Sequence, residues 1–588
     1  MSFITRPIFI PKILEIFRKG GYNKKTFSSD LIAGIIVGIV ALPLAIAFGI
    51  ASGVTPQQGL ITAIVAGFLT SLLGGSNFLI GGPTGAFIVV VYGIVTKFGM
   101  SGLIIATCLA GVILVVMGVF KFGSIIKFIP YPIVVGFTSG IALVIFSTQI
   151  KDFLGLQIDN LPAEFIPKWI SYFQHLSTIN YHEAALGLSC LLIIIFWPRI
   201  TKTVPGSLIA IIVGTVGTLI ISKVYGVEFA TIGSRFPELA QGVTMPKPQA
   251  PNITFAMIKE LSQPAITIAI LCAIESLLAA MVADGVTGKR HDSNTELIGQ
   301  GITNIVTPFF GGIPATGAIA RTMANINNGG KTPVAGVIHA LVLLLVFFFL
   351  MPYAIYIPLA CLASILIVVA YNMSELKTFR YLLKGHRTDI IVLLITFFLT
   401  VVIDLTVAIE FGVILAIILF VKRVSETSSI RIVEETTIEG TELSESPQDV
   451  EKFQIPRFVE IYEIDGPFFF GLASKIDELD VSSHKRVKIR IIRMRRVPFI
   501  DSTGLNNLRN LWKRSKKEHI QVILSGVTES VRKSLDSSGF SEELGQEFIF
   551  PHISMAVEKA KELSDKIALT EKELSDKRHL KTKTEKLS

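Results

Sequence analysis

Two ionisable residues stand out because they lie in segments that are otherwise apolar enough for a lipid bilayer. Glu275 lies near the middle of the apolar run 263–284, and Arg321 follows a Pro-Ala-Thr-Gly sequence in a later run. A charge at mid-membrane costs about 2.5–3.5 kcal/mol on insertion scales, so both side chains should face the protein interior. Because burial disfavours the ionised form of a carboxyl group, Glu275 is a candidate proton carrier. The structural alternative is a carboxyl group that only hydrogen-bonds a neighbouring helix.

Arg321 is a candidate ligand for an anion. Its guanidinium group offers forked donors that suit an oxyanion. Two structural alternatives remain open, an ion pair with Glu275 and a contact at the cytoplasmic surface. Asp284 and Glu410 lie nearer the ends of their runs, where interfacial or capping roles are expected. Neutral hydrogen bonds to the anion could come from Thr84, Ser276 and Thr316.

Two similar stretches, 81–87 (Gly-Gly-Pro-Thr-Gly-Ala-Phe) and 311–318 (Gly-Gly-Ile-Pro-Ala-Thr-Gly-Ala), interrupt apolar runs. The Gly pair is expected to end one helix, while Pro in the first turn and a Thr cap start the next. A helix that begins inside a membrane directs free N–H groups and about half a positive charge at whatever lies in front of it. Paired interruptions of this kind point to a transporter substrate site, here for an anion. The alternative is a pair of helix-packing motifs.

The elements that position these residues are membrane spans. The chain has 588 residues, of which 51% are hydrophobic and 17% charged, with a mean hydropathy of +0.62. Soluble domains carry about a quarter charged residues, so most of this chain is predicted to lie in lipid. Apolar runs of roughly the length of a span are predicted at 31–51, 57–75, 83–97, 101–120, 132–152, 182–198, 204–223, 263–284, 294–310, 315–328, 333–351, 356–371, 388–404 and 406–422.

The charges of the loops orient these spans. If the N-terminus is cytoplasmic, the loops after the fourth, sixth, eighth, twelfth and last runs fall on the inside, and these loops carry Lys and Arg. Both termini are therefore predicted to be cytoplasmic. The net charge of +9 is spread over loops and tail, which does not suggest a nucleic-acid binder. The four cysteines lie far apart in apolar runs, so no disulfide framework and no metal site is predicted.

The domain organisation follows from shifts in composition. Residues 1–28 form a basic cytoplasmic segment, with Asp30 or a nearby serine capping the first span. The transmembrane domain covers 29–424, and an acidic linker covers 425–451. Residues 452–563 alternate strand and helix patterns, including a half-buried strand at 458–464 and a helix at 472–480, which predicts a cytoplasmic α/β domain. The tail, 564–588, is expected to be a solvated helix or disordered.

The sharpest motif of the α/β domain is 499–505, Phe-Ile-Asp-Ser-Thr-Gly-Leu. It is predicted to end a strand and open a helix, with Asp501 or Ser502 as the N-cap. The functional hypothesis is a regulatory face with Ser502 or Thr503 as a phosphorylation site. No P-loop or Rossmann glycine pattern is present, so no cofactor is predicted.

These motifs resemble the SulP anion-transporter family, known in animals as SLC26. The resemblance rests on 30–34 and 41–45 in the first run, on 82–86, on 311–314 with 317–322, and on 501–504, the signature of a STAS domain. It implies a mostly α membrane protein with fourteen segments in two inverted seven-segment repeats, as in uracil permeases. It also implies a core domain that moves against a gate domain, homodimers and cytoplasmic STAS domains.

The resemblance also implies positions for the substrate site. They are Ala47 and Phe48, Thr84 with Gly85, Ala86 and Phe87, Glu275 with Ser276, and Thr316, Gly317, Ala318, Ile319 and Arg321. Sodium-coupled bicarbonate members have an Asp in the eighth segment and a hydroxyl near the start of the tenth. Here Glu275 and Ile319 stand in those places, which favours coupling to H⁺ over Na⁺.

The sequence therefore predicts a secondary active transporter of a small inorganic anion, sulfate or bicarbonate, in the plasma (bacterial inner) membrane, and no enzyme. It is expected to be coupled to protons, with the anion at the N-termini of two half-helices. The alternatives are a sodium-coupled bicarbonate symporter, a dicarboxylate or nucleobase carrier, an uncoupled exchanger or channel, and a signalling module whose output is the STAS domain. The expected partners are the anion, the bilayer, a second copy of the chain and a cytoplasmic regulator.

Overall fold

The structure is a computed structural model of the full chain. It describes residues 9–18, 22–124, 130–158, 161–162, 164–201, 204–237, 239, 254–403, 405–433, 455–472 and 487–585. These residues form two compact units, Met1–Ala416 and Ile417–Ser588. Most of the predicted linker (434–451) and nearly all of the predicted helix at 472–480 lie outside the described residues.

The first unit is almost entirely helical, as its apolar composition predicts. Its main helices are α1 (Lys12–Arg18), α2 (Lys24–Ala51), α3 (Pro56–Leu73), α4 (Phe87–Val119), α5 (Tyr131–Leu154), α6 (Phe165–Gln174), α7 (Tyr181–Phe196), α8 (Gly206–Tyr225), α9 (Ile232–Arg235), α10 (Phe255–Thr287), α11 (Ser293–Val306), α12 (Ile319–Asn327), α13 (Val334–Leu350), α14 (Leu359–Met373), α15 (Leu376–Leu382), α16 (Arg387–Val402) and α17 (Leu405–Thr427).

Nine helices in the described part of the chain are long and apolar enough to cross a bilayer. Among them is α4, whose range covers the predicted third and fourth runs as two helical parts on either side of a kink. Its backbone leaves the helical region at Gly99, where φ is 66° and ψ is −171°. This glycine stands at the predicted border between the two runs, because a residue without a Cβ adopts positive φ at little cost.

The N-terminus of α2 differs from the prediction. The cap is Asn23, whose side chain accepts a hydrogen bond from the Thr26 amide at 2.9 Å. Asp30 is no cap, since it lies inside the helix and is fully buried. Its carboxylate accepts hydrogen bonds from the amides of Lys331 (2.7 Å) and Thr332 (3.2 Å). The carboxylate therefore holds the loop before α13, a tertiary contact that capping rules do not anticipate.

The helices of the first unit pack in two groups. In one group, α4 packs on α10 and α11, and α13 packs on α2 and α3. In the other, α5 packs on α14 and α16, and α7 packs on α8 and α14. Close approach in the first group depends on glycine. A Cβ at Gly111 or at Gly301 would lie 2.6 Å from the carbonyl oxygen of the other residue.

The second unit has a five-stranded sheet in the order β3-β4-β5-β6-β7. Strand β3 is antiparallel to β4, and the other neighbours are parallel. The strands are β3 (Ser429–Val433), β4 (Val459–Asp465), β5 (Ile489–Arg496), β6 (Gln521–Ser525) and β7 (Ile549–Phe550). The helices are α18 (Ser502–Lys517), α19 (Glu529–Ser537), α20 (Phe540–Leu544) and α21 (Ile553–Glu585).

Two features of this unit differ from the sequence analysis. Residues 429–433 of the predicted linker form β3. Strand β4 is buried along both faces rather than half-buried, because separate apolar clusters cover the two sides of the sheet. The charged tail adopts the helical one of its two predicted states, since the final helix continues from Ile553 to Glu585.

Candidate functional site

The two glycine-rich stretches meet at the centre of the first unit. Each contributes two residues to a short antiparallel pair, β1 (Gly81–Gly82) and β2 (Thr316–Gly317), in which Gly81 faces Gly317. The Ala318 amide extends the pairing with a 2.9 Å hydrogen bond to the Ile80 carbonyl. A crossing of two extended segments between helices buries backbone polar groups, and the pairing satisfies them.

Helix α4 starts after β1 and helix α12 starts after β2. Their N-caps are Ala86 and Ala318, and neither end has a side-chain cap. The prediction that Thr84 and Thr316 cap these ends is therefore wrong, as is the placement of proline in the first helical turn. At α4 the amides of Phe87 and Ile88 donate to the carbonyls of Thr84 and Gly85, at 3.3 and 3.1 Å. What both helices direct at the crossing is therefore the positive end of the helix dipole.

Thr84 instead contacts the candidate proton carrier. Its hydroxyl donates a 2.9 Å hydrogen bond to Oε2 of Glu275, which lies in α10. Glu275 is half-buried. No ion pair joins it to Arg321 or to another cation among the residues with described positions, so the predicted alternative of a Glu275–Arg321 pair is not formed. The carboxyl group thus sits next to the start of α4 without a neutralising cation.

Ser276, which follows Glu275 in α10, hydrogen-bonds to the second glycine-rich stretch. Its hydroxyl lies 2.7 Å from the Thr316 hydroxyl and accepts a 3.0 Å hydrogen bond from the Gly317 amide. Thr316 also donates to the carbonyl of Cys272, one turn earlier in α10, at 3.1 Å. Both Ser276 and Thr316 are fully buried. Adjacent residues of one helix therefore contact both glycine-rich stretches.

Several polar residues that sequence reasoning missed position the stretches. Asn304 binds both polar groups of the Ala315 backbone, donating to the carbonyl at 2.8 Å and accepting from the amide at 2.9 Å. The Thr62 hydroxyl accepts from the Ile313 amide at 2.8 Å. From α12, Thr322 accepts from the Ile80 amide at 3.2 Å. An asparagine or threonine inside an otherwise apolar run is the sequence signal that could have identified these residues.

Arg321 lies behind the crossing rather than in an open space. Its side chain is 1% exposed, and Nη2 donates a 3.2 Å hydrogen bond to the carbonyl of Pro83. A Cβ added to Gly82 would lie only 2.0 Å from Nη1. Nη1 has no hydrogen-bond partner among the described residues. The arginine of the second stretch thus contacts the backbone of the first.

The remaining predicted site residues surround the crossing. Ala47 and Phe48 of α2 are buried, as are Gly85, Ala86 and Phe87 at the start of α4. Ala318 is partly exposed, and the side chain of Ile319 is 38% exposed. A cavity of ≈ 630 Å³ reaches this region at Ala47 and at Ile88, in the first turn of α4. The predicted residues therefore come together around the starts of α4 and α12.

The motif of the second unit has the local structure that was predicted. Asp501 caps α18, accepting a 2.7 Å hydrogen bond from the Gly504 amide. Ser502 and Thr503 follow in the first turn, and both are exposed. A phosphate group on either residue would stand at the positive end of a helix dipole.

Comparisons with known proteins agree on both units. Residues 27–396 match the model of the Sulfate permease family, and residues 450–560 match the STAS domain. The chain is 41% identical over 536 residues to "Putative sulfate transporter YvdB" of Bacillus subtilis (strain 168), covering 90% of this chain and 97% of that protein. It is 30% identical to "Bicarbonate transporter BicA" of Picosynechococcus sp., covering 87% and 91% of the two chains.

Solved structures show the same fold. Murine Slc26a9, an anion transporter solved in the inward-facing state, aligns with a TM-score of 0.82 at 20% identity, covering 95% of this chain and 96% of that chain. The transmembrane domain of the cyanobacterial bicarbonate transporter BicA aligns with a TM-score of 0.58 at 29% identity, covering 67% of this chain and 98% of that chain.

Proposed function

The chain belongs to the Sulfate permease family, and from that premise we propose that it is a secondary active transporter of sulfate or bicarbonate. Anion transport itself is supported by the relatives named for sulfate and bicarbonate. Such a protein moves its substrate without covalent chemistry and is no enzyme. The STAS domain accompanies the transport unit and fits a regulatory role.

The observation that carries the proposal is the crossing of β1 and β2. Two helices, α4 and α12, begin on its two sides, so the positive ends of their dipoles act on the same region. Arg321 adds a full positive charge just behind the crossing. These groups stabilise an anion without a metal, and the polar groups around them hold the helix ends in place.

We assign proton coupling to Glu275. Its carboxyl group accepts a hydrogen bond from Thr84, which leads directly into α4. A negative Glu275 would repel an anion at the helix ends, whereas a protonated Glu275 would not, so binding of the anion and of the proton favour each other. Alternating access then carries both across the membrane together.

The wider architecture is also proposed from the family. We infer fourteen membrane segments in two inverted seven-segment repeats, with the first packing group containing α4 and α12 as the moving core. We further infer a homodimer in the plasma membrane with cytoplasmic termini, and Thr503 or Ser502 as a phosphorylation site on the exposed start of α18.

The test is sulfate uptake into proteoliposomes that hold the purified full-length chain, under an inward proton gradient and without sodium. We expect saturable uptake that collapses when the gradient is removed. Uptake that requires sodium and bicarbonate instead would identify the sodium-coupled symporter, the second candidate, which the BicA relative favours. Competition by fumarate or uracil would reveal a different cargo.

Glu275→Gln tests the coupling role. Glutamine keeps an oxygen that can accept the hydrogen bond from Thr84 but carries no titratable proton. We expect uptake by this variant to become independent of the proton gradient. The matched control is Glu228→Gln, because Glu228 is exposed and far from the crossing in sequence. Unchanged uptake and unchanged gradient dependence in Glu275→Gln would make Glu275 structural.

A further inference from the structure

The ≈ 630 Å³ cavity is lined by Ala47 and Ile88, near the start of α4, and by a set of charged residues. Its lining also includes Lys168 of α6. With 10 residues, α6 is about 15 Å long, half of what a bilayer core requires, so it does not span the membrane.

Lys168 is buried without a counter-charge. Its side chain is 4% exposed, yet no ion pair or hydrogen bond joins it to another residue in the described ranges. Lysine is almost never buried unless it is paired. A lysine whose side chain is buried at the wall of a cavity, with no described counter-charge, is therefore a place where an anion would supply the missing partner.

The other cations of the cavity are already engaged. Arg235 binds both carboxylate oxygens of Asp152, at 2.9 and 2.7 Å. The ammonium group of Lys151 donates to the carbonyl of Ile158. Lys97 lies 5.2 Å from the centre of the Phe98 ring and is exposed. Lys168 is thus the buried cation of this cavity that has no described partner.

We propose that this cavity holds a second anion-binding site centred on Lys168, between the solvent and the crossing. Its ligand is a small oxyanion of the class that the central site takes, and in this respect the inference rests on the proposed function. An anion would pause at Lys168 before it reaches the helix ends. Nothing in the family assignment requires this site, because it depends on α6 and not on the glycine-rich stretches.

The site should respond to pH. Burial lowers the pKa of Lys168 to about 8. Below pH 8 the side chain is charged and attracts the anion, and above pH 8 it is neutral. The charged fraction falls about tenfold between pH 7 and pH 9, so anion binding should weaken by a similar factor. The other titratable groups that line the cavity are Tyr92, Lys97, Lys151, Asp152, Glu164, Arg235 and Glu260.

The experiment is equilibrium binding of radiolabelled sulfate to the purified full-length chain at pH 7 and pH 9. In the wild type we expect two binding components at pH 7, and the component that depends on Lys168 should weaken about tenfold at pH 9. Lys168→Gln should lack that component at both pH values. Lys168→Arg should retain it at both, because arginine stays charged. Lys97→Gln, a change at an exposed lysine of the same cavity, is the control and should shift affinity less than twofold.

Several outcomes would overturn the second site. They are a single wild-type component, no measurable sulfate binding, wild-type behaviour in Lys168→Gln, or an unchanged pH response in Lys168→Arg. Gel filtration and thermal midpoints identify a variant that fails to fold. If Lys168→Gln does not fold, the test of the second site rests on Lys168→Arg alone. Normal proton-driven uptake without a Lys168-dependent binding component contradicts only the second site. Failed uptake with intact Lys168-dependent binding contradicts only the proposed function.

Discussion

The hydroxyl of Ser276 offers a direct test of how the crossing is held. It accepts the Gly317 amide at 3.0 Å and lies 2.7 Å from the Thr316 hydroxyl, and no solvent reaches the side chain. Ser276→Ala removes one oxygen and adds no bulk. The variant leaves the Gly317 N–H of β2 with no side-chain acceptor.

The size of the effect follows from these contacts. An unsatisfied buried donor costs about 1–3 kcal/mol, and the lost hydroxyl–hydroxyl bond is worth about 0.5–1.5 kcal/mol. Thr316 retains its 3.1 Å bond to the Cys272 carbonyl, so its own hydroxyl stays partnered. We therefore expect the free energy of unfolding to fall by about 1–4 kcal/mol, because the two contributions add at most partially.

The assay pairs thermal unfolding of the purified chain with sulfate uptake. Ser276→Ala should lower the thermal midpoint and raise the KM of uptake, because Gly317 lies two residues before α12. The matched control is Ser262→Ala on the same helix, where the exposed hydroxyl only donates to the Lys259 carbonyl at 2.7 Å. The control should behave as the wild type.

Two results would refute this reasoning. If Ser276→Ala and Ser262→Ala had the same thermal midpoint, the buried hydrogen bonds of Ser276 would not contribute to stability. If Ser276→Ala were destabilised but kept the wild-type KM, the position of β2 would not affect the anion site.

Two further predictions concern other contacts. Gly82→Ala should abolish uptake, because the φ angle of Gly82 is +153° and the new Cβ would lie 2.0 Å from Nη1 of Arg321. The control is Gly93→Ala, whose new Cβ would have no atom within 4 Å and which should transport normally. Equal uptake by the two variants would contradict this prediction. Arg490→Gln should destabilise the STAS unit by about 3–5 kcal/mol, since Arg490 is fully buried 3.7 Å from the Glu460 carboxylate. Thermal unfolding would measure this destabilisation. The double variant with Glu460→Gln should recover part of the lost stability.

The sequence predicted most of the long apolar helices and the two interruptions that pair as β1 and β2, and the family resemblance is confirmed by the match to residues 27–396. Apolar runs and glycine interruptions are local signals that survive folding. The partners of polar groups are not local. Thr84 has the right position for a cap, but its hydroxyl donates its hydrogen bond to the carboxyl group of Glu275 in α10. Asp30 likewise binds amides some 300 positions away.

Strand β4 shows the same limit in the second unit. Its alternating sequence reads as half-buried, yet Glu460 and Glu463 are both buried, at 7% and 9% exposure. They lie opposite Arg490 and Arg493 of β5, which supply the counter-charges. Because such pairing depends on the register between strands, period-two reasoning within one strand could not find it.

The contacts of Arg321 connect the second glycine-rich stretch to the first. The residue belongs to α12, after β2, but its guanidinium group contacts Gly82 and Pro83, next to β1. Asn325 of the same helix also reaches back, donating to the Phe78 carbonyl at 3.0 Å. Helix α12 therefore cannot shift relative to the first stretch without breaking buried hydrogen bonds. We expect the starts of α4 and α12 to move together as a rigid pair, which in the proposed transport cycle would keep both dipoles directed at the anion.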